Sequence, residues 1–264
     1  MPANKIMLVL YKEWLDLRKQ RSLLLATVLP PLLFVILPVG ISYFAGTAPP
    51  NNKGNMDQLS RINPALTGMS ERELGQAIVG QQFGVLLLLL PLIIPSIIAS
   101  YSIVGEKTER TLEPLLATPV RTWELLLAKM IAALVPGLLA TWVAGLLFAV
   151  SMSAIAVSSR VREAIISPGW ILVFLLCVPF LALLTVAATV AISSRVNDPR
   201  TAQQISAILI LPVMLLMFGQ ITGILVLSPV LAVIAAVALL LISVLAVWLV
   251  SRLFQREVIL TRWS

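Results

Sequence analysis

The chain has 264 residues, 59% of them hydrophobic and 12% charged, with a mean hydropathy of +1.00 and a formal net charge of +7. A soluble domain carries about 25% charged residues. Too little polar surface remains here to cover a single core, so a water-soluble globular protein is excluded. The bases sit between apolar runs rather than in a stripe, which argues against a nucleic-acid partner. The chain has no histidine, the commonest general base and metal ligand.

Residues 1–21 predict an amphipathic helix. Met7, Leu10, Trp14 and Leu17 recur on one face, and Lys5, Lys12, Asp16 and Lys19 on the other. Such a helix lies flat on the inner leaflet with its lysines near anionic head groups. A solvated extension of the first span is the alternative. Crossing the hydrocarbon takes about 20 apolar residues. Six runs qualify: 22–45, 77–104, 125–157, 169–193, 202–227 and 230–251. The first is too long for a signal peptide, whose apolar region has about 7–15 residues. The sequence therefore predicts an all-α integral membrane protein in one domain, 1–264.

The outer loop, 46–76, holds a turn-forming Pro49–Gly54 stretch and a capping box, Ser70–Glu71–Arg72–Glu73, which starts a helix leading into the second span. Fourteen of the 19 lysines and arginines fall in the termini and alternate loops on one side. That bias places both termini in the cytoplasm of a multi-pass protein of the cell membrane.

No Asp, Glu, Lys or Arg falls in the middle of a span. Ion-driven carriers usually hold such groups there. A Ser–His hydrolase and an H-E-x-x-H metalloprotease need histidine, and a Ser–Lys pair would need a lysine at membrane depth, where none is expected. Gln81, Gln82, Thr141, Thr185, Thr189, Gln203, Gln204, Gln220 and Thr222 are milder polar residues. They either join helices, at about 0.6 kcal/mol per hydrogen bond, or line a substrate path. Gly137, Thr141, Gly145, Ala149 and Ser153 form a small-residue stripe, and Gly219 and Gly223 a GxxxG. Helix packing within the chain and a dimer seam both fit. Prolines 30, 31, 38, 91, 95, 136, 179 and 212 fall inside spans, where each removes an amide donor and favours a kink. The lone cysteine, Cys177, excludes a disulfide framework.

The charged interruption Gly105–Lys129 stands apart from all this. It carries Glu106, Glu109, Glu113, Glu124, Lys107, Arg110, Arg121 and Lys129 between apolar runs. Thr111 suits an N-cap and Pro114 a first helical turn. Leu112, Leu115 and Leu116 give an apolar edge, and Thr118–Pro119 stops the helix. A new helix starts near Arg121–Trp123 and runs into the third span. An ordinary loop anchored by Trp123 is the plainer alternative.

Residues 105–129 resemble the cytoplasmic signature of ABC-2 type transporter permeases: an acidic-basic stretch, then T-L-E-x-L-L-x-T-P, an aromatic-Glu-Leu run and a lysine. Here these are Thr111–Pro119, Trp123–Leu127 and Lys129. Arg121 stands where the family often has a small hydroxyl residue, and Ala128 where it often has glycine. The resemblance implies an exporter's membrane subunit, paired with a second permease subunit as a homo- or heterodimer. It implies a cytoplasmic coupling helix within 105–124, seated on a separate ABC ATPase. Its contact residues would be Glu106, Glu109, Arg110, Thr111, Leu112, Glu113, Leu115, Leu116, Thr118 and Pro119. Ser194–Arg200 would add a smaller contact. The sequence has no G-x-x-x-x-G-K-[ST] phosphate loop, so no cofactor is expected in this chain; ATP and magnesium would be bound by the partner ATPase. The alternatives are a membrane scaffold that docks a partner by the same loop, and an ion-coupled carrier.

Overall fold

A computed structural model describes residues 3–19, 21–47, 66–108, 122–221 and 228–253. Every regular element among them is helical. Helix α1 (Ala3–Lys19) precedes α2 (Arg21–Thr47). The next long helix comprises α3 (Glu71–Leu86), a 3₁₀ turn (Leu87–Leu89) and α4 (Leu90–Thr108). Helix α5 (Thr122–Ile155) follows unbroken. Then come α6 (Ser159–Ile165), α7 (Pro168–Leu172), a π turn (Val173–Cys177) and α8 (Val178–Ser193). Helix α9 (Pro199–Ser206), a 3₁₀ turn (Ala207–Leu209) and α10 (Ile210–Ile221) form another unit, and α11 (Pro229–Leu253) the last. Six of these helical stretches are long and apolar enough to cross a membrane: Leu23–Thr47, Glu71–Ser102, Glu124–Ile155, Ser159–Ser193, Pro199–Gln220 and Pro229–Arg252, here spans 1 to 6.

The ends of these helices follow from local chemistry. Ser70 accepts from the Glu73 amide while its own amide donates to the Glu73 carboxylate, so the expected capping box forms. It opens a helix continuous with span 2 rather than a separate short one. Ser158 caps α6 and Ser167 caps α7 through the amides of Val161 and Trp170. Asp198 caps α9 and Pro199 takes its first turn, where a missing amide costs little. The amide and hydroxyl of Thr201 hold the Asp198 carboxyl below its ordinary range.

Three interruptions inside spans also have a common cause. Pro91 lacks the amide that would bond to the Leu87 carbonyl four residues back; the Leu90 amide takes that carbonyl instead, which is the tighter 3₁₀ bond. Pro212 stands four residues after Ile208, inside the second 3₁₀ turn. Pro179 stands four residues after Leu175, inside the π turn. The sequence predicts kinks at prolines in spans; Pro91, Pro179 and Pro212 accompany two tight turns and one wide one, whereas Pro30, Pro31, Pro38, Pro95 and Pro136 lie inside helices that run on past them.

Span 2 lies at the centre. Its lower half, α4, packs on α5, α8 and α9, and its upper half, α3, on α2, α6 and α10. Span 4 packs against span 6 through α8 and the π turn. An aromatic stack fills the middle: Trp170 lies on Phe174 with centroids 5.0 Å apart, and Phe148 is 5.9 Å from Trp170. The Trp170 indole donates to the Gly84 carbonyl at 3.1 Å. Spans 1, 5 and 6 leave most of their apolar side chains uncovered, as lipid-facing helices do.

Candidate functional site

Two polar sites tie distant parts of the chain together, one at each end of the bundle. The near end is where α1 lies and where α4 stops and α5 begins. Here Lys129, on the second turn of α5, points inward and is 3% exposed; Glu13 of α1 is 7% exposed. The Lys129 Nζ donates to Glu13 Oε1 at 2.8 Å, to the Ser102 carbonyl at 2.9 Å and to Ser102 Oγ at 3.1 Å. The Ser102 hydroxyl donates to Glu13 Oε2 at 2.8 Å. An ammonium has three donor hydrogens, and three acceptors surround this one. The result is a polar knot joining α1, α4 and α5. Two buried charges need such partners, because desolvation costs each several kcal/mol.

The knot bears on two features of the sequence. No lysine falls in the middle of a span, but Lys129, near the start of the third, reaches Ser102. The pair is not set up as a nucleophile and base: the amine donates to the serine oxygen and the serine donates to Glu13, whereas a base must accept the serine proton. The second feature is the pattern of α1. Met7, Leu8, Tyr11, Trp14 and Leu15 are exposed, Met7 at 69%. Leu10 is half-buried and Glu13 buried. The apolar stripe therefore turns away from the protein, and a carboxylate on the opposite side turns in. Of the face through Met7, Leu10, Trp14 and Leu17, Met7 and Trp14 are exposed and Leu10 is half-buried; the Leu17 side chain lies outside the described residues.

At the far end Gln76, 1% exposed, plays the corresponding part without charge. Its Nε2 donates to the Ile155 carbonyl at 2.9 Å and the Ser42 carbonyl at 3.4 Å, and its Oε1 accepts from the Val157 amide at 2.9 Å. The last carbonyls of a helix have no partner within it. Gln76 thus caps the end of α5 from another helix and ties in α2.

Of the residues expected to touch a partner, Glu106 lies in the last turn of α4, which runs to Thr108. Glu109, Arg110, Thr111, Leu112, Glu113, Leu115, Leu116, Thr118 and Pro119 lie outside the described residues, as do Thr222 and Gly223. In the small-residue stripe, a β-carbon on Gly137 would come 2.5 Å from the Pro95 ring, and one on Gly145 would strike the Phe174 ring. Thr141 between them is buried and bonds the Gly137 carbonyl at 2.7 Å. These three positions face other spans of the same chain. Gly219 is partly buried in α10.

The polar span residues divide. Gln81 bonds the Ala164 carbonyl, Gln203 the Ser100 hydroxyl, Thr185 the Leu181 carbonyl and Thr189 the Ser206 hydroxyl. Gln82 and Gln220 each bury an amide oxygen that has no hydrogen-bond partner among the described residues.

Glu13, Ser102 and Gln76 were not singled out from the sequence. Glu13 carried a signal: it stands three residues after Leu10, on the inward line of α1, where a solvated helix would place an apolar residue. Ser102 and Gln76 carried none, because their partners are 27 to 89 residues away.

A family model described as ABC-2 family transporter protein matches residues 7–251. The chain belongs to this family. The match takes in all but the first few residues of α1, all six spans and all the residues of both polar sites. None of the curated proteins matches it. As an ABC-2 family member it is a multi-pass membrane protein with the role of a transport permease. Lys129 is then the lysine that closes the family-like stretch 105–129, and the structure gives it partners, Glu13 and Ser102, that lie outside that stretch.

Proposed function

We propose that this chain is the permease subunit of an ATP-driven exporter, working as a dimer and driven by a separate cytoplasmic ABC ATPase. Family membership over residues 7–251 carries the reading. The wording of 105–129 supports the coupling part, since Thr111–Pro119 keeps the order of residues that the ATPase-facing stretch of such permeases shows. Its Leu112, Leu115 and Leu116 would seat the segment, and Glu106, Glu109, Arg110 and Glu113 would orient it by charge, as paired patches do at transient interfaces. Both termini are cytoplasmic in this reading, in accord with the lysine and arginine bias. Hydrolysis in the ATPase would displace this segment and, with it, the ends of spans 2 and 3.

The test is copurification. The wild-type chain, extracted from membranes in mild detergent, is expected to bring an ABC ATPase with it. Reversing Glu109 and Glu113 together to lysine, or changing Leu115→Asp, is expected to abolish that association while leaving insertion intact. Unchanged association in these variants would reject the assignment of the contact.

A further inference from the structure

The knot at the near end asks for an explanation that stability does not supply. A buried ion pair is often no more stabilising than well-packed apolar side chains of similar volume, and is sometimes less so. Glu13, Lys129 and Ser102 nonetheless hold α1 to α4 and α5 through four short contacts. The three elements they join are not arbitrary. Helix α4 ends at Thr108 and α5 begins at Thr122, so the two helices bracket residues 109–121 in sequence. Lys129 stands two turns into α5 and Ser102 less than two turns before the end of α4. Helix α1 turns Met7, Leu8, Tyr11, Trp14 and Leu15 outward, and it leads directly into span 1.

We propose that Glu13, Lys129 and Ser102 are positioning residues that make α1 move as one body with the bracketing ends of spans 2 and 3. The inference rests on the coupling reading above and deepens it. Directional bonds suit the task better than apolar contact. An apolar interface lets helices slide with little cost, because dispersion and hydrophobic burial have no preferred direction. A lysine that donates to a carboxylate on one helix and to a serine on another fixes the register of all three, as buried polar groups do in coiled coils. Pulling the ends of α4 and α5 would then draw α1, with its exposed apolar stripe, along or into the membrane surface.

The experiment uses the full chain with its copurified ATPase in lipid nanodiscs, spin-labelled at Tyr11→Cys. Cys177 is buried and leaves that label as the reporter. In the wild-type background, ATP with vanadate is expected to change the label's mobility and lipid accessibility. Replacing the knot by apolar residues, Glu13→Leu with Lys129→Met, is expected to keep ATPase association and thermal stability but lose that change. The swap Glu13→Lys with Lys129→Glu is expected to restore it. Ser102→Ala keeps the ion pair and is expected to weaken the response, giving a reading even if a double variant fails to fold. An apolar knot or a Ser102→Ala knot that responds like the wild type overturns the proposal, and so does a bound ATPase with no response at Tyr11. If no ATPase copurifies with the wild-type chain, the coupling reading falls and takes this inference with it.

Discussion

The two ends of the bundle solve one problem with different chemistry. At the far end a single neutral side chain, Gln76, joins spans 1 and 3 to the start of span 2. At the near end three side chains, two of them charged, join α1 to spans 2 and 3. The difference follows from what must be matched. The far end offers carbonyls and an amide together, and only a group that both donates and accepts can serve both; an amide does, whereas a lysine cannot accept and a carboxylate cannot donate. The near end offers a helix whose own inward residue is an acid, so the match must bring a cation. A neutral clamp loses some strength when broken, whereas a charged one leaves an uncompensated ion behind.

That contrast orders the expected effects. Lys129→Met alone strands the Glu13 carboxylate and should cost about 3–5 kcal/mol, seen as loss of folded protein in membranes and a lower melting temperature in detergent. Adding Glu13→Leu should recover most of it; a double variant no more stable than the single would mean that the knot acts through packing rather than charge. Gln76→Leu should cost about 1–3 kcal/mol, because the part-buried Val157 amide and Ile155 carbonyl lose their partner. A larger loss for Gln76→Leu than for Lys129→Met would reverse the contrast. Between the two ends, Gly145→Ala drives a methyl group into the Phe174 ring and should cost about 1–3 kcal/mol by overpacking; Phe174→Leu in the same chain should relieve it, and thermal unfolding of the pair measures this coupling.

The smallest effects belong to the caps. Ser70→Ala should lower stability by about 1 kcal/mol, without lowering the melting temperature as far as Gln76→Leu does. Asp198 has its carboxyl held below the ordinary value of 3.8 by Thr201. Its contribution is therefore present above that value and is lost as the pH falls through the lower folded-state value. A melting-temperature profile between pH 7 and pH 4 should be the same for wild type and Asp198→Ala in shape, with a small constant offset. A gap that closes within that range would place the group elsewhere.

Much of the fold was legible because the bilayer makes so few demands. A run such as Gly169–Ser193 has no polar alternative to crossing, and Ser70–Glu73 announces its own cap. Pro91, Pro179 and Pro212 stand beside the turns of spans 2, 4 and 5, whereas Pro30, Pro31, Pro38, Pro95 and Pro136 interrupt no helix, and nothing in the prolines themselves separates the two groups. The knot was harder to read for a physical reason. Glu13 and Lys129 are 116 residues apart, and the place of Glu13 three residues after Leu10 does not say which base it meets. Helix α1 was legible as a pattern of faces, but the pattern does not say which element meets its polar side, which depends on where Glu13 finds a base.

The three proline-linked turns have a mechanical consequence. A span with a continuous hydrogen-bond ladder behaves as a rod: a push at one end arrives undiminished at the other. Spans 2, 4 and 5 are jointed partway along, at Leu87–Leu89, Val173–Cys177 and Ala207–Leu209. Span 3, which carries Lys129 near one end and is held by Gln76 at the other, has no such joint, although Pro136 removes one amide from its ladder. Spans 1, 3 and 6 are thus struts beside three jointed spans, and a displacement at the near end reaches the far end along span 3 while spans 2, 4 and 5 flex.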